Sequence, residues 1–303
     1  MRRRGGFVAL GAMVLAFGVG GAGVSAKGGL ARGLNAKSRA RTRVTLSSNT
    51  TTAPLPPAKP PLPPLRYRPV GCVAAGPQEA RTHGPRRREV ALTFDDGPSI
   101  YTRRFVQMLR AQKAVATFFM IGEQVTSGYA GVLREELRNG DALGDHTWSH
   151  VDLVTSREVA SQLSRTKSAI AAQSGYTPCV MRPPSGYYDS SVIQTARSLG
   201  LDTITWEVDP SDYLLPGTEA IKQRVLAQVK RGSIILSHDG GGPRLQTLDA
   251  YPHIIAALRA RGDRFVTVPQ LLGLRTIYER CRRDCGEAAI EGRPPAGSIV
   301  RNG

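Results

Sequence analysis

From residue 88 onward the apolar residues follow two different periods. "EVALTF" (89–94) and "AVATFFMIG" (114–122) are short continuous apolar runs, the pattern of strands covered on both faces. "TRRFVQMLRAQK" (102–113) and "AGVLREELRNG" (130–140) instead repeat apolar residues at helical spacing, and Gly140 supplies a helix stop. The alternation continues. "DALGDH" ends a strand, "SREVASQLSRTKSAIAAQSG" is a long helix, "CVMRPP" a strand and "SSVIQTARSLG" a helix. "DTITWEV", "SIILSHDG" and "RFVTVPQLL" read as strands, with "TEAIKQRVLAQVKRG" and "YPHIIAALRARG" as the helices between them. Strand and helix repeated about seven times predict an α/β fold, a parallel sheet with crossover helices that is open or closed into a barrel. In such folds reactive side chains gather at the carboxyl ends of the strands.

The first 70 residues lack this pattern. "MRRRGGFVALGAMVLAFGVGGAGVSA" has a basic start, an apolar run from Phe7 and the small residues Val24-Ser25-Ala26, so residues 1–26 read as a secretory signal cleaved after Ala26. An uncleaved membrane anchor fits less well, because the uncharged stretch is rich in Gly and poor in Leu and Ile. Residues 27–70 mix Arg, Ser and Thr with a dense proline block; they bury too little apolar surface to offset chain entropy and are expected to form a disordered, extended linker. A single domain over 71–285 and a tail over 286–303, disordered beyond Cys285, complete the expected organisation.

Charge sharpens this division. The chain has 303 residues and a net charge of +17; residues 1–90 hold 16 of the 41 Lys and Arg against 2 acidic residues, leaving 25 against 22 in the rest. The basicity therefore belongs to the arm, which suits equally a tether that adheres to an anionic cell envelope and a plain solvated linker. Nucleic-acid binding is disfavoured, since the charge precedes the folded region, follows an export signal and lacks interleaved aromatics. A secreted or wall-associated monomer without stable membrane insertion is expected. The four cysteines, Cys72, Cys179, Cys281 and Cys285, fit an exported chain. Of the three pairings, a clasp from Cys72 to the Cys281/Cys285 pair is preferred because it joins the two ends of the domain; a free, buried Cys179 is the alternative.

The strand ends carry the chemistry. Asp95 and Asp96 end the first strand, two adjacent like charges best tolerated with a cation or proton between them. "HTWSH" places His146 and His150 four apart, the spacing that puts two imidazoles on one face of a helical turn and lets both ligate one cation. With one carboxylate of the Asp pair they form a two-His, one-carboxylate set suited to Zn, Co or non-haem Fe. The unused Asp and His238, at another strand end, supply the base and acid that hydrolysis needs. Arg182 would hold that base ionised, and Asp209 would raise the pKa of His238. Taken singly, Arg182 reads equally well as a structural ion pair and Asp209 as a turn residue before Pro210.

"TFDDGPS", "HTWSH", "RPPSG", "VDPSDY" and "ILSHDG", in this order across residues 88–275, resemble the five motifs of the NodB-type polysaccharide deacetylases, carbohydrate esterase family 4. The resemblance implies a distorted (β/α)7–8 barrel that removes N-acetyl or O-acetyl groups from glycans with one divalent metal, zinc first and cobalt next. It assigns Asp95 as general base, Asp96, His146 and His150 as metal ligands, Arg182 as the residue orienting Asp95, and His238 as general acid tuned by Asp209. It puts the Ser185 main-chain N–H at the oxyanion and Leu236 in the acetyl-methyl pocket. Two positions depart from the family pattern: Ser185 stands where an aromatic is usual, and Tyr213 where a Trp is. The implied substrate is an acetylated glycan, peptidoglycan first and chitin-type chains second. An O-acetyl xylan esterase, and a non-catalytic glycan-binding wall protein on the same barrel, are the alternatives.

Overall fold

The computed structural model describes residues 66–281, 290–292 and 294–302, all within one compact unit, Pro60–Gly303. The expected signal peptide, most of the linker and Cys285 lie outside the described residues. Among the described residues no helix is long and apolar enough to cross a membrane.

Seven parallel strands build the main sheet: β2 (Glu89–Gly97), β3 (Ala116–Met120), β4 (Ala142–Asp145), β5 (Val180–Met181), β6 (Asp202–Thr203), β7 (Ile234–Ile235) and β8 (Arg264–Phe265). Their order is β6-β5-β4-β3-β2-β7, with β8 also pairing β2. Beyond β6 the chain bridges Val208 to Ile235, and the Leu236 N–H donates to the Val208 carbonyl at 2.9 Å, so the last strand of this order meets the first. The result is the expected distorted barrel. Crossovers α1 (Thr102–Ala111), α2 (Ala130–Asn139), α3 (Val159–Ser174), α4 (Ser190–Ser198), α5 (Thr218–Gln228) and α6 (Leu245–Ala260) connect successive strands. Val90 to Leu92 and Phe94 are fully buried, as a parallel strand covered on both faces requires. Phe94 meets Phe105, Phe118 and Tyr251 at ring separations of 4.9, 5.3 and 4.8 Å. Each such burial stabilises the fold by about 1.5–3 kcal/mol.

Local signals explain some of the helix ends. Gly140 closes α2 at φ 93°, and Asp189 caps α4 by accepting the Val192 N–H. Two expectations fail. The strand expected over 264–272 stops at Phe265; Val268–Leu271 forms a short helix, α7, because Thr267 and Gln270 make a reciprocal capping box and Pro269 suits a first turn. Helix α6 begins at Leu245 rather than Tyr251 and runs through Pro252.

A second sheet joins the domain's two ends. Strand β1 (Arg66–Val73) pairs antiparallel with β9 (Arg275–Cys281), flanked by β10 (Ile290–Glu291) and β11 (Ile299–Asn302). The expected linker boundary at residue 70 therefore falls inside β1. The tail is ordered at its end, where Ile299–Asn302 runs parallel to β9. The expected Cys72 clasp is also corrected: Cys72 is bonded to Cys179, 107 residues away, tying β1 to the approach of β5. Cys281 is disulfide-bonded as well. The ends meet, but by strand pairing.

Candidate active site

In a regular strand Asp95 and Asp96 would point to opposite faces. The register of β2 on β3 slips between Asp95 and Gly97, and Asp96 takes a left-handed φ of 69°. That bulge re-aims Asp96, so both carboxylates face the rim of the barrel. The glycine run after β7 packs directly on it: a Cβ at Gly240 would lie 1.8 Å from the Asp96 carbonyl oxygen, and one at Gly241 2.3 Å from Asp96 Oδ2. No other residue fits there.

His146 follows β4. Its Nδ1 lies 2.7 Å from the Arg182 carbonyl, which only accepts, so Nδ1 carries a proton and Nε2 is the atom that faces Asp96. His146 Nε2 and His150 Nε2 stand 3.4 and 3.3 Å from Asp96 Oδ1. The expected helical turn is absent: the segment is a bend with Thr147 at φ 68° and His150 at φ 55°. It is this bend that brings the two rings to 5.0 Å. Asp96 Oδ1 is buried with no hydrogen-bond donor, and the three donor atoms lie within 4.8 Å of one another. A carboxylate and two imidazoles converging on one point fit a divalent cation. Burial acts to raise the Asp96 pKa, but the surrounding histidines outweigh it and hold the group at about 2. Burial, with His146 nearby, lowers that of His150, a shift toward the neutral ring that ligation requires.

Asp95 is buried beside this cluster. Arg182, fully buried at the end of β5, donates from Nη1 to Asp95 Oδ1 at 2.8 Å and to Thr93 Oγ1 at 2.6 Å, and from Nη2 to the Thr205 carbonyl at 3.1 Å. Its guanidinium lies 4.2 Å from the Phe119 ring centre. Thr93 in turn donates to the Ile235 carbonyl at 2.6 Å.

The partner of His238 is corrected. His238 Nδ1 stands 2.8 Å from Asp212 Oδ1, its main-chain N–H donates to Asp212 Oδ2 at 3.0 Å, and Thr247 Oγ1 donates to the same oxygen at 2.8 Å. Asp209 instead accepts the Ser211 N–H at 2.6 Å and closes a local turn, the role its place before Pro210 allowed. Burial alone would lower the His238 pKa; the Asp212 hydrogen bond and the charges of Asp212, Asp95 and Asp96 outweigh it and leave it raised. Tyr213 sits edge-on to His238 at 5.6 Å, while Leu236 is buried two residues ahead of it. Ser185, at φ 55°, lies exposed on the turn Pro184–Gly186 after β5.

Sequence reasoning also missed Asp239, a fully buried carboxyl behind the Asp pair that accepts a hydrogen bond from Thr102. Burial pushes it up to about 7; the Thr102 bond opposes this and the charges of Asp96 and Asp95 add to it. Beside the cluster a cleft of about 480 Å³ opens between Ser99–Tyr101, Gln124, Tyr129 and Gly241–Gly242.

The family model described as polysaccharide deacetylase matches residues 82–204. The chain is 38% identical over 194 residues to a peptidoglycan-N-acetylglucosamine deacetylase of Bacillus cereus, covering 60% of this chain and 87% of that protein. It is 35% identical to a chitooligosaccharide deacetylase of Bradyrhizobium sp. over 61% of this chain and 90% of the relative. The crystal structure of the Bc1960 peptidoglycan N-acetylglucosamine deacetylase superposes with a TM-score of 0.61 at 32% identity, over 64% of this chain and 92% of that one. Sequence and backbone thus agree over the part of the chain that carries the Asp–His–His cluster, and the protein belongs to the polysaccharide deacetylase family, carbohydrate esterase family 4.

Proposed function

We propose that the protein is a secreted hydrolase that removes N-acetyl groups from N-acetylglucosamine units of a cell-wall glycan, peptidoglycan first and chitin-type chains second, with release of acetate. The observation that carries this reading is the placement of two fixed side chains beside one cation site: Asp95 held by Arg182, and His238 held by Asp212. Asp96, His146 and His150 would hold the divalent cation, zinc by the chemistry of the donors. Such an ion supplies a Lewis acid that polarises the acetyl carbonyl and makes water easier to deprotonate.

The residues do the rest. Asp95 accepts a proton from the attacking water, and the hydrogen bond from Arg182 fixes its direction. An amide nitrogen cannot leave as an anion, so the departing nitrogen must be protonated as the C–N bond breaks. His238, with its raised pKa, brings that proton and is left neutral on Asp212. The Ser185 N–H serves the developing oxyanion, and Tyr213 flanks the sugar beside His238. A general acid serves an alkoxide as well as an amine, so the preference for N-acetyl over O-acetyl substrates rests on the similarity to peptidoglycan-N-acetylglucosamine deacetylases. The intact base, acid and donor set weigh against a non-catalytic wall protein. Export and adhesion to the wall are inferred from the signal-like start and the basic arm.

The test is acetate release from N-acetylated peptidoglycan and from chito-oligosaccharides, with and without chelator. Acetate formation that stops on chelation and returns with Zn²⁺ is expected. No acetate from either polymer with metal present would reject the reading.

A further inference from the structure

Two of the three donors of the cation site sit on a segment that leaves the β4 ladder once the His146 N–H has reached the Met120 carbonyl at 2.9 Å. Residues 146–150 are neither helix nor strand, and Thr147 and His150 both adopt left-handed backbone. Such conformations in non-glycine residues cost on the order of 1–3 kcal/mol each, and persist only where the surroundings over-determine them.

The surroundings here include two side chains. Asp145 Oδ1 accepts the Thr147 N–H at 2.9 Å. Gln162 Oε1 accepts the next two, from Trp148 at 2.8 Å and Ser149 at 3.0 Å, and Gln162 Nε2 donates to Ser149 Oγ at 3.1 Å. Three successive N–H groups between the two imidazoles are therefore taken by two side-chain oxygens. The two amide donors fix the orientation of the carboxamide, because its NH₂ end could not face them. Gln162 is 6% exposed in the first turn of α3, and its place in the hydrogen-bonded helix limits its movement. Opposite it, the Gly122 and Glu123 N–H groups hold the Thr147 and Trp148 carbonyls at 2.9 and 3.0 Å.

We propose that Gln162 is a positioning residue of the metal centre: its carboxamide clamps the Trp148–Ser149 backbone so that His146 and His150 present both Nε2 atoms to the point faced by Asp96. The inference rests on the reading of Asp96, His146 and His150 as a cation site. Gln162 touches no donor atom, so its effect is on affinity and ligand geometry.

The experiment titrates metal-free full-length protein with Co²⁺, following the visible absorption bands, with Zn²⁺ competition for affinity. Gln162→Met should raise the Kd about 10–100-fold, the usual consequence of losing an outer partner of a ligand, and should change the Co²⁺ bands. Gln162→Glu, which still accepts both N–H groups, should recover most of the affinity. Should the Met variant not fold, Gln162→Asn, one methylene too short to reach both amides, reads the same quantity. A folded Met or Asn variant with wild-type Kd and spectrum overturns the proposal, as does a wild-type protein that binds no Co²⁺. Wild-type binding without acetate release would reject the deacetylase reading, and the shift in Kd would still decide for or against the clamp.

Discussion

Asp95 and His238 are locked together through the backbone. The Asp95 N–H donates to the Ser237 carbonyl at 2.9 Å and the Asp239 N–H to the Asp95 carbonyl at 3.0 Å, so the two residues face each other across a parallel bridge. The separation of the proposed base and acid is thereby set by main chain, and each side chain needs only one partner to fix its direction: Arg182 for one, Asp212 for the other.

Asp95→Asn removes the proton acceptor but keeps the shape and the hydrogen bond from Arg182. Loss of a general base costs on the order of 10²–10⁴-fold in kcat. Co²⁺ affinity should hold near the wild-type value, because Asp96, His146 and His150 are untouched. Acetate release and Co²⁺ titration on the same preparation check this, and unchanged turnover would remove Asp95 from the mechanism.

Asp212→Asn and Asp209→Asn should part company. Asp212 contributes the hydrogen bond and charge that raise the His238 pKa, so its amide variant should move the alkaline limb of the activity profile to lower pH and cut the rate. Asp209→Asn keeps an acceptor for Ser211 and should leave the limb in place. The linkage has a definite sign. A histidine with a raised folded-state pKa stabilises the fold below its ordinary unfolded pKa, and that contribution is lost as pH rises through the raised value. Denaturant midpoints should therefore converge between wild type and Asp212→Asn at alkaline pH, and parallel curves would disprove the pairing.

Asp209 and Asp212 show where sequence stops informing. Both follow the same strand, three residues apart, and either could reach His238 on spacing alone; the choice depends on Ser211 and Leu215, two non-glycine residues in left-handed backbone that bracket the turn Asp212–Leu214. By contrast Asp96, His146, His150 and Arg182 were legible, because barrel topology brings strand ends together whatever the loops do. The parallel α/β alternation and the α2 stop at Gly140 followed from periodicity and a glycine. Helix α7 hid in an apolar run, although Thr267 and Gln270 carried its capping signal. The Cys72–Cys179 bond depends on β1 docking beside Thr177, a long-range contact that no local pattern encodes.

That bond should act on stability. It closes a segment of 107 residues and ties β1 to the chain just ahead of Arg182. Removing a native disulfide from a small domain typically costs about 2–5 kcal/mol. The Cys72→Ser/Cys179→Ser double variant should show a midpoint lowered accordingly in urea, with Co²⁺ affinity preserved at low temperature, since neither cysteine contacts the donor loop. Loss of metal binding in the folded double variant would show instead that the bond holds the site together.

Ile100 tests what lies beyond the reacting sugar. It is 80% exposed on the lip of the cleft that runs from Pro98 past Tyr101 and Tyr129, and the floor of that cleft, Gly241, packs on the Asp96 carboxylate. A neighbouring unit of the polymer lying in this cleft would cover part of that side chain. Covering part of an isoleucine contributes less than the ~1.5–3 kcal/mol of full burial, which translates into a rise of about three- to tenfold in KM on Ile100→Ser. The rise should appear with chito-oligosaccharides or peptidoglycan and vanish with single N-acetylglucosamine, while kcat stays constant. Equal KM for the variant and wild type across the chain-length series would show that the polymer does not cover Ile100.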